Sequence, residues 1–215
     1  MPENMSRWLA VGDYERKRYG LVAGFFEGFR GRLLDVGCHK AGLRKFLGPD
    51  IEYVGVDNMA EGGPGVMAVD LNEGKLPFAD GAFGAVVCTA TLEHLLRPLQ
   101  LLREMARVLN DSGRILVSLP NDRGLSSIVS AVFFRIAPYE EQVYGHHWRF
   151  SRETGRAFIS REFQVDREVP HFGPLYDRYL FFMKWPFLCT EWFTFAHKKP
   201  ARPAATPAEN RTPPS

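Results

Sequence analysis

The segment 32–47, RLLDVGCHKAGLRKFL, most constrains the fold, because it joins an apolar run, a glycine turn and an amphipathic stretch. Residues 33–36 have the length and apolarity of a buried strand, and residues 43–47 favour the start of a helix. Between them, Gly37 permits a sharp turn and a close approach of a ligand to the backbone. A strand, a tight turn and a helix in this order direct backbone N–H groups towards a bound nucleotide or anion.

Asp57 closes a second apolar run, YVGVD, twenty positions after Gly37. Nucleotide-binding folds place an acidic residue at the end of the next strand, where its carboxylate accepts hydrogen bonds from ribose hydroxyls. We therefore predict that Asp57 and the Gly37 turn bind one nucleoside-containing cofactor.

Further apolar runs alternate with helical patterns along the chain. Leu95, Leu99, Leu102, Met105 and Leu109 have the spacing of one helix face, and Ser151 is a typical helix start. This alternation predicts an α/β fold with a doubly wound sheet. The other predicted strands are 66–69, 85–89, 114–119, 163–169 and 191–198.

Composition bounds the class of protein. The 215 residues are 45% hydrophobic and 24% charged, which fits one domain with a large core. A net charge of +2 gives no reason to expect nucleic acid as a partner. Three cysteines without a C-x-x-C pair argue against a disulfide framework, and no signal sequence or long apolar run is present. These observations predict a soluble, cytoplasmic protein.

Three strings resemble the class I S-adenosylmethionine-dependent methyltransferases, in the methyltransferase type 11-like branch that acts on small molecules, lipids and glycans. The turn DVGC-HKAG at 35–42 is similar to the family's D-x-G-C-G-x-G, with His39 and Ala41 at the second and third glycine positions and Gly42 one position late. Glu93-His94-Leu95 matches the frequent E-H-[LVI] string. The segment REMARVLNDSGRILVSLPN at 103–121 is very close to the family's helix and fifth strand.

This resemblance implies a Rossmann-like, seven-stranded sheet, mostly parallel with an antiparallel last strand, and S-adenosylmethionine as the cofactor. It also implies that the Asp70 carboxylate accepts from the adenine amine while the next apolar residue packs on the ring; the alternative is that Asp70 only caps a turn. The cofactor-binding residues implied are Asp35, Gly37, Cys38, His39, Asp57, Asn58, Asp70, Leu71, Thr89 and His94.

The expected domain organisation rests on this resemblance and on local composition. Residues 1–199 are expected to form a single methyltransferase domain, and the proline-rich residues 200–215 a disordered tail. Residues 1–30 are expected to form a helical lid or to pack on the sheet edge. Residues 121–148 and 171–190 are insertions near the acceptor site, and the aromatic 171–190 segment is either a core element, a cap, or a peripheral contact with a membrane or partner.

His146, His147 and His94 are the candidate catalytic residues, because they follow strands whose carboxyl ends bind ligands in doubly wound folds. A histidine accepts a proton near neutral pH without unusual tuning, so any of the three is a candidate base. Structural roles are the alternative. Adjacent histidines point in different directions, so we expect no metal site.

The sequence therefore predicts transfer of a methyl group to a hydroxyl, amine or carbon of a small molecule, lipid or glycan. Two alternatives stay open. A nicotinamide-dependent oxidoreductase uses the same strand-turn-helix arrangement, although the chain lacks G-x-G-x-x-G and a Tyr-x-x-x-Lys motif. A non-catalytic nucleotide-binding module would account for His39 and Ala41.

Overall fold

The computed structural model describes residues 11–59, 63–122, 145–172 and 189–200, with side chains from residue 15 onward. The first ten residues of the expected lid lie outside the described residues. So do residues 123–144 and 173–188, which make up most of the two expected insertions, and residues 201–215 of the expected tail.

Seven strands form one sheet in the order β3-β2-β1-β4-β5-β7-β6. Strands β1 to β5 run parallel, and β7 lies antiparallel between β5 and β6. This topology confirms the predicted doubly wound, Rossmann-like fold with an antiparallel last strand. The strands are β1 (Gly31–Val36), β2 (Ile51–Asp57), β3 (Val66–Ala68), β4 (Phe83–Thr89), β5 (Leu109–Pro120), β6 (Phe163–His171) and β7 (Glu191–Lys198).

Three α-helices accompany the sheet in the described part of the chain: α1 (Val11–Phe25), α2 (Pro98–Val108) and α3 (Arg152–Ile159). Helix α3 begins where the sequence predicts, because the Ser151 hydroxyl accepts from the Thr154 N–H and the Thr154 hydroxyl accepts from the Ser151 N–H. None of the helices described here has the length and apolar character needed to cross a membrane.

Both faces of the sheet are covered. Neighbouring residues of the central strands point to opposite sides, so each strand contributes side chains to both faces. On one face Leu34 packs in a cluster with the apolar side of α2. On the other face Leu33 packs with Val22 of α1 and with Phe26, the residue directly after α1. Helix α1 therefore lies on a face of the central sheet, and not on its edge as one sequence interpretation suggested.

Two local elements differ from the sequence prediction. The helix expected at 43–47 is a short 3-10 helix, Gly42–Phe46, on which α1 packs so closely that a Cβ on Gly42 would lie 2.8 Å from the Tyr19 ring. Residues 110–113, which precede the strand predicted at 114–119, belong to β5 and form a bulge in it, because Leu109 pairs with Phe83 and Arg114 already pairs with Ala85.

Candidate cofactor and acceptor site

Most of the predicted site residues converge on one edge of the sheet. Strands β1, β4 and β5 are parallel, so their last residues, Val36, Thr89 and Pro120, end at the same edge. The antiparallel strand β7 begins at this edge, where Glu191 pairs with Pro120. Ligands of doubly wound sheets bind outside these carboxyl ends.

Gly37 is required by both its backbone angle and its surroundings. Its φ is 76°, and a Cβ there would lie 2.0 Å from the Thr91 hydroxyl oxygen. The N–H groups of Gly37 and Cys38 donate to the Val56 carbonyl at 2.8 and 3.2 Å. The turn after β1 is thus held between β2 and the turn after β4.

His39 and Ala41 both adopt left-handed backbone conformations, with φ of 47° and 53°. These are the two positions at which the resemblance leads one to expect glycine, the residue that tolerates this region without a steric penalty. The backbone shape of a glycine-rich loop is thus retained while its side chains differ. Gly42 does not take over this role, since its φ is not positive and it packs under Tyr19.

Asp57 lies against this loop, as the twenty-residue spacing predicts. One carboxylate oxygen accepts from the His39 N–H at 2.9 Å, and the other accepts from the Met59 N–H at 3.0 Å. The side chain of the next residue, Asn58, accepts from the Leu71 N–H at 2.9 Å. The end of β2 is therefore tied both to the loop and to the turn that follows β3.

The Asp70 carboxylate accepts from the Asn72 N–H at 2.9 Å and caps the 3-10 helix Leu71–Glu73. This is the structural alternative raised from the sequence. The Asp70 side chain is exposed, whereas Leu71 is buried. A contact of Asp70 with adenine stays a prediction.

Asp35 and Cys38 have buried side chains. The Tyr53 hydroxyl donates to the Asp35 carboxylate at 2.8 Å, and burial raises the pKa of Asp35 to about 6. The Cys38 thiol packs on Gly55, where a Cβ would come within 2.7 Å of the sulfur, and burial raises its pKa. Both side chains support the loop from within the core.

The structure brings Glu93 and His94 together with His146, which lies more than fifty residues later. The Glu93 carbonyl accepts from the N–H groups of His147 and Trp148 at 2.8 and 3.2 Å. Nδ1 of His94 lies 3.1 Å from the Gly145 carbonyl oxygen, and the rings of His94 and His146 are 4.6 Å apart. Glu93 is 2% exposed, and burial raises its pKa to about 8.

The two adjacent histidines have different environments. His147 is exposed, while His146 is partly buried against His94. Burial, with the neighbouring His94, lowers the pKa of His146 to about 4, so the His146 imidazole is neutral at pH 7. His146 therefore belongs to the cluster at the end of β4, and His147 contacts it through its backbone.

A buried network at the same edge was not predicted. The Ser118 hydroxyl donates to the Glu191 carboxylate and accepts from the Ala90 N–H at 3.0 Å, and an Arg18 nitrogen lies 3.8 Å from Glu191. Ala90 follows Thr89 and has a φ of 48°. The one sequence signal was Ser118, a polar residue inside the apolar run ILVSLP.

A cavity of about 480 Å³ lies elsewhere. It is lined by the end of α1 and by residues 48–51, including Asp50 and Ile51. These residues precede or begin β2, so the cavity lies at the amino ends of the strands. It is therefore separate from the convergent polar residues at the opposite edge.

The model of the methyltransferase domain family matches residues 14–166. The match covers more than half of the chain, so the chain belongs to this family, and the resemblance to class I methyltransferases is confirmed.

Two probable S-adenosylmethionine-dependent methyltransferases, from two strains of Mycobacterium tuberculosis, are 33% identical to this chain over 101 residues. The alignment covers 47% of this chain and 35% of each relative, so the chain matches about a third of their length.

Solved structures share the fold at low identity. An S-adenosylmethionine-dependent methyltransferase from Archaeoglobus fulgidus is 19% identical, with a TM-score of 0.60 over 84% of this chain and 94% of the other. The N-methyltransferase NodS from Bradyrhizobium japonicum, solved with S-adenosyl-L-homocysteine, is 15% identical, with a TM-score of 0.59 over 86% and 87%. At these identities the likeness establishes the fold alone.

Proposed function

We propose that the chain is a methyltransferase that uses S-adenosylmethionine and methylates a hydroxyl, amine or carbon of a small molecule, lipid or glycan. The observation that carries the proposal is the contact of Asp57 with a loop that keeps left-handed backbone at residues 37, 39 and 41. A carboxylate at the end of the second strand, beside such a loop, is the arrangement that binds a nucleoside. Membership of the methyltransferase domain family supports the same conclusion.

The residues present fit this cofactor. Each oxygen of the Asp57 carboxylate accepts one backbone N–H group and has a second lone pair, so the carboxylate can also accept hydrogen bonds from ribose hydroxyls. The Gly37 turn presents backbone without a side chain, and Leu71 offers an apolar surface beside Asp70. Asn58, Thr89 and His94 line the same edge and complete the cofactor-binding residues that we propose.

Bound S-adenosylmethionine supplies a methyl group made electrophilic by its sulfonium, so the protein needs no nucleophile of its own. The task of the chain is to hold the acceptor atom in line, and such positioning contributes up to roughly 7–11 kcal/mol. We assign this task to the cluster of Glu93, His94 and His146. These residues follow β4 and contact the segment 145–148, on the side where doubly wound folds bind substrates.

The acceptor proton also needs a recipient if the acceptor is a hydroxyl. His94 is the best placed, because the Gly145 carbonyl only accepts hydrogen bonds, so the His94 Nδ1 carries the proton and Nε2 keeps its lone pair. His146, with its lowered pKa, is a weaker base and is better suited to orienting the acceptor.

One observation favours a non-catalytic nucleotide-binding module: His39 and Ala41 stand where glycine is expected in the cofactor loop. No comparable observation favours a nicotinamide-dependent oxidoreductase. A cytoplasmic location and a membrane contact through residues 171–190 belong to the proposal as well.

A methylation screen tests the proposed function. Purified protein, with S-adenosylmethionine and pools of small molecules, lipids and glycans, should produce a mass increase of one methyl group in an acceptor. Failure of the folded, cofactor-bound protein to methylate any acceptor would favour the binding-module alternative.

The histidines give the site-specific prediction. We expect His146→Ala and His94→Ala each to lower turnover by about 100-fold or more. Cofactor affinity should change little in His146→Ala, whereas His94→Ala can also weaken it, because His94 is among the proposed cofactor-binding residues. His147→Ala is the matched comparison, because His147 is adjacent but exposed. Rate, cofactor affinity and melting temperature should be measured on each variant. A parallel fall in melting temperature and rate would indicate a structural role instead.

A further inference from the structure

Three side chains with metal-binding atoms meet at the carboxyl end of β4. One carboxylate oxygen of Glu93 and one ring nitrogen each of His94 and His146 lie within 4.8 Å of one another. A tetrahedral zinc site with bonds of about 2.1 Å has ligand atoms about 3.4 Å apart. Small side-chain rotations would therefore bring the three atoms to coordination distance.

The backbone holds the third ligand next to the other two. Glu93 and His94 belong to the 3-10 helix Leu92–His94. His147 and Trp148 directly follow His146, and their N–H groups donate to the Glu93 carbonyl at 2.8 and 3.2 Å. The Trp148 indole N–H donates to the Leu95 carbonyl at 2.8 Å and fixes the same segment. The cluster is thus built by the fold and not by the chance meeting of surface residues.

The orientation of His94 suits a metal ligand. Its Nδ1 lies 3.1 Å from the Gly145 carbonyl oxygen, which can only accept, so this nitrogen carries the proton. Nε2 is left with a free lone pair. Histidine ligands in metalloproteins donate their second nitrogen to a carbonyl or carboxylate in the same way.

Glu93 supplies an independent observation. Its side chain is almost completely buried, and within the described residues its Oε2 atom has no hydrogen-bond partner. Burying an unpaired carboxylate oxygen is unfavourable unless a cation or a donor satisfies it. A bound cation beside His94 and His146 would satisfy this oxygen.

We propose that Glu93, His94 and His146 bind one divalent transition-metal ion, with Zn²⁺ as the representative ion. Two imidazoles and a carboxylate are a ligand set that favours zinc and similar ions over Mg²⁺, which prefers oxygen, and it leaves a position open for a further ligand. The metal site does not depend on the proposed function. Its use does: in the metal-bound protein the His94 Nε2 is a ligand and not the base, and the ion would instead lower the pKa of an acceptor hydroxyl, whose proton passes to solvent.

This inference departs from the sequence-based expectation that the chain has no metal site. The expectation was based on the adjacent pair His146 and His147, and His147 is not part of the proposed metal site. The partners that the fold gives to His146 are Glu93 and His94, which no local spacing in the sequence indicates.

Zinc titration of the full chain tests the proposal. The protein, without an affinity tag and freed of metal by chelator, is titrated calorimetrically with Zn²⁺ and separately with Mg²⁺. We expect one Zn²⁺ per chain and no comparable binding of Mg²⁺. Glu93→Gln and His146→Ala should weaken Zn²⁺ binding by about tenfold or more. His147→Ala, which removes the adjacent histidine outside the cluster, should bind Zn²⁺ as the wild type does.

Several results would overturn the metal site. These are no stoichiometric Zn²⁺ binding, several weak equivalents that Glu93→Gln does not change, or an equal loss in His147→Ala. If the variants do not fold, the visible absorption of Co²⁺ added to the wild type decides, since a site of low coordination number gives a much stronger band than hexaaquo Co²⁺. Binding of S-adenosylmethionine is measured separately, so failure of the metal site and failure of the proposed function remain distinguishable.

Discussion

His39 and Ala41 occupy backbone conformations in which a Cβ is disfavoured. Left-handed geometry costs a residue other than glycine roughly 1–2 kcal/mol of folding free energy. Glycine avoids this cost, but it lowers stability by about 0.4–1 kcal/mol because it gives the unfolded chain more conformational entropy. His39 is exposed, and its N–H binds Asp57 whatever the side chain is. The loop thus keeps its shape at a cost in stability.

We predict that His39→Gly raises the free energy of unfolding by about 0.5–1 kcal/mol. Cofactor affinity should be equal or higher, because the backbone contact to Asp57 is kept. Chemical denaturation and calorimetric titration measure the two quantities. Lys40→Gly is the control: Lys40 lies between the two strained residues without a positive φ, so glycine there should only destabilise. A large loss of cofactor binding in His39→Gly would mean that the imidazole itself contacts the ligand.

Asp35 makes stability depend on pH. Burial raises its pKa from the usual 3.8 to about 6, so between these values the unfolded chain releases a proton that the folded protein keeps. The stabilising contribution is therefore complete below about pH 4 and is lost as the pH rises through 6.

Asp35→Asn removes this titration and keeps an oxygen that can accept from the Tyr53 hydroxyl. We expect the melting temperature of the variant, relative to wild type, to be more favourable at pH 7 than at pH 4. Asp50→Asn, an exposed carboxylate, controls for the general loss of a negative charge. A difference that is constant with pH, or that has the opposite sign, would contradict the raised pKa of the buried Asp35 carboxyl.

At the scale of elements, residues 103–109, REMARVL, carried much of the resemblance to the family. Their Arg107 connects helix α2 to residues 76–80, the loop before β4. The Arg107 guanidinium donates to the Leu76 and Phe78 carbonyls at 3.0 and 2.8 Å. It also donates to the carboxylates of Asp80 and Glu104, each at 2.7 Å. This segment therefore contributes to packing and not to the site, although it is the most recognisable part of the sequence.

Arg107→Met should lower the free energy of unfolding by about 1.5–3 kcal/mol, because it removes several charge-assisted hydrogen bonds, including the one that the guanidinium donates to the Phe78 carbonyl. Cofactor affinity of the folded variant should not change. The matched control is Arg103→Met on the same helix, which loses only an exposed ion pair with Glu162 and should change stability by no more than about 0.5 kcal/mol. Similar losses in both variants would refute this connecting role of Arg107.

The strands were predictable because buried parallel strands are continuous apolar runs, and β7 has the predicted bounds. Helix α2 was predictable from its periodicity. The bulge at 110–113 was not, since a turn and a bulge use the same residues, Asn, Asp, Ser and Gly.

At the scale of the whole molecule, the candidate site draws on nearly every part of the described chain. The β1 turn, the end of β2, the turn after β4, residue 118 of β5, the 145–148 segment and Glu191 of β7 all lie at one edge of the sheet. Helix α1 reaches the same edge through Arg18. The arrangement therefore exists only in the folded domain.

This distribution also explains what sequence analysis of the site achieved. Asp57 and Gly37 could be paired because a fixed strand-turn-helix-strand unit separates them. Contacts such as Glu93 with His146, or Ser118 with Glu191, join residues more than fifty positions apart, and no periodicity or local spacing encodes them. Such contacts follow from the strand order, which the sequence indicates only in outline.

Calorimetric titration of the full chain with S-adenosylmethionine, and with NAD as the rival cofactor, tests the central claim most directly. We predict one S-adenosylmethionine per chain and no NAD binding. Asp57→Ala should weaken the affinity at least about tenfold, or about 1.4 kcal/mol, whereas Asp50→Ala, directly before the opposite end of the same strand, should not change it. A folded wild-type protein that binds no S-adenosylmethionine, that binds NAD instead, or whose affinity is unaffected by Asp57→Ala would contradict the account.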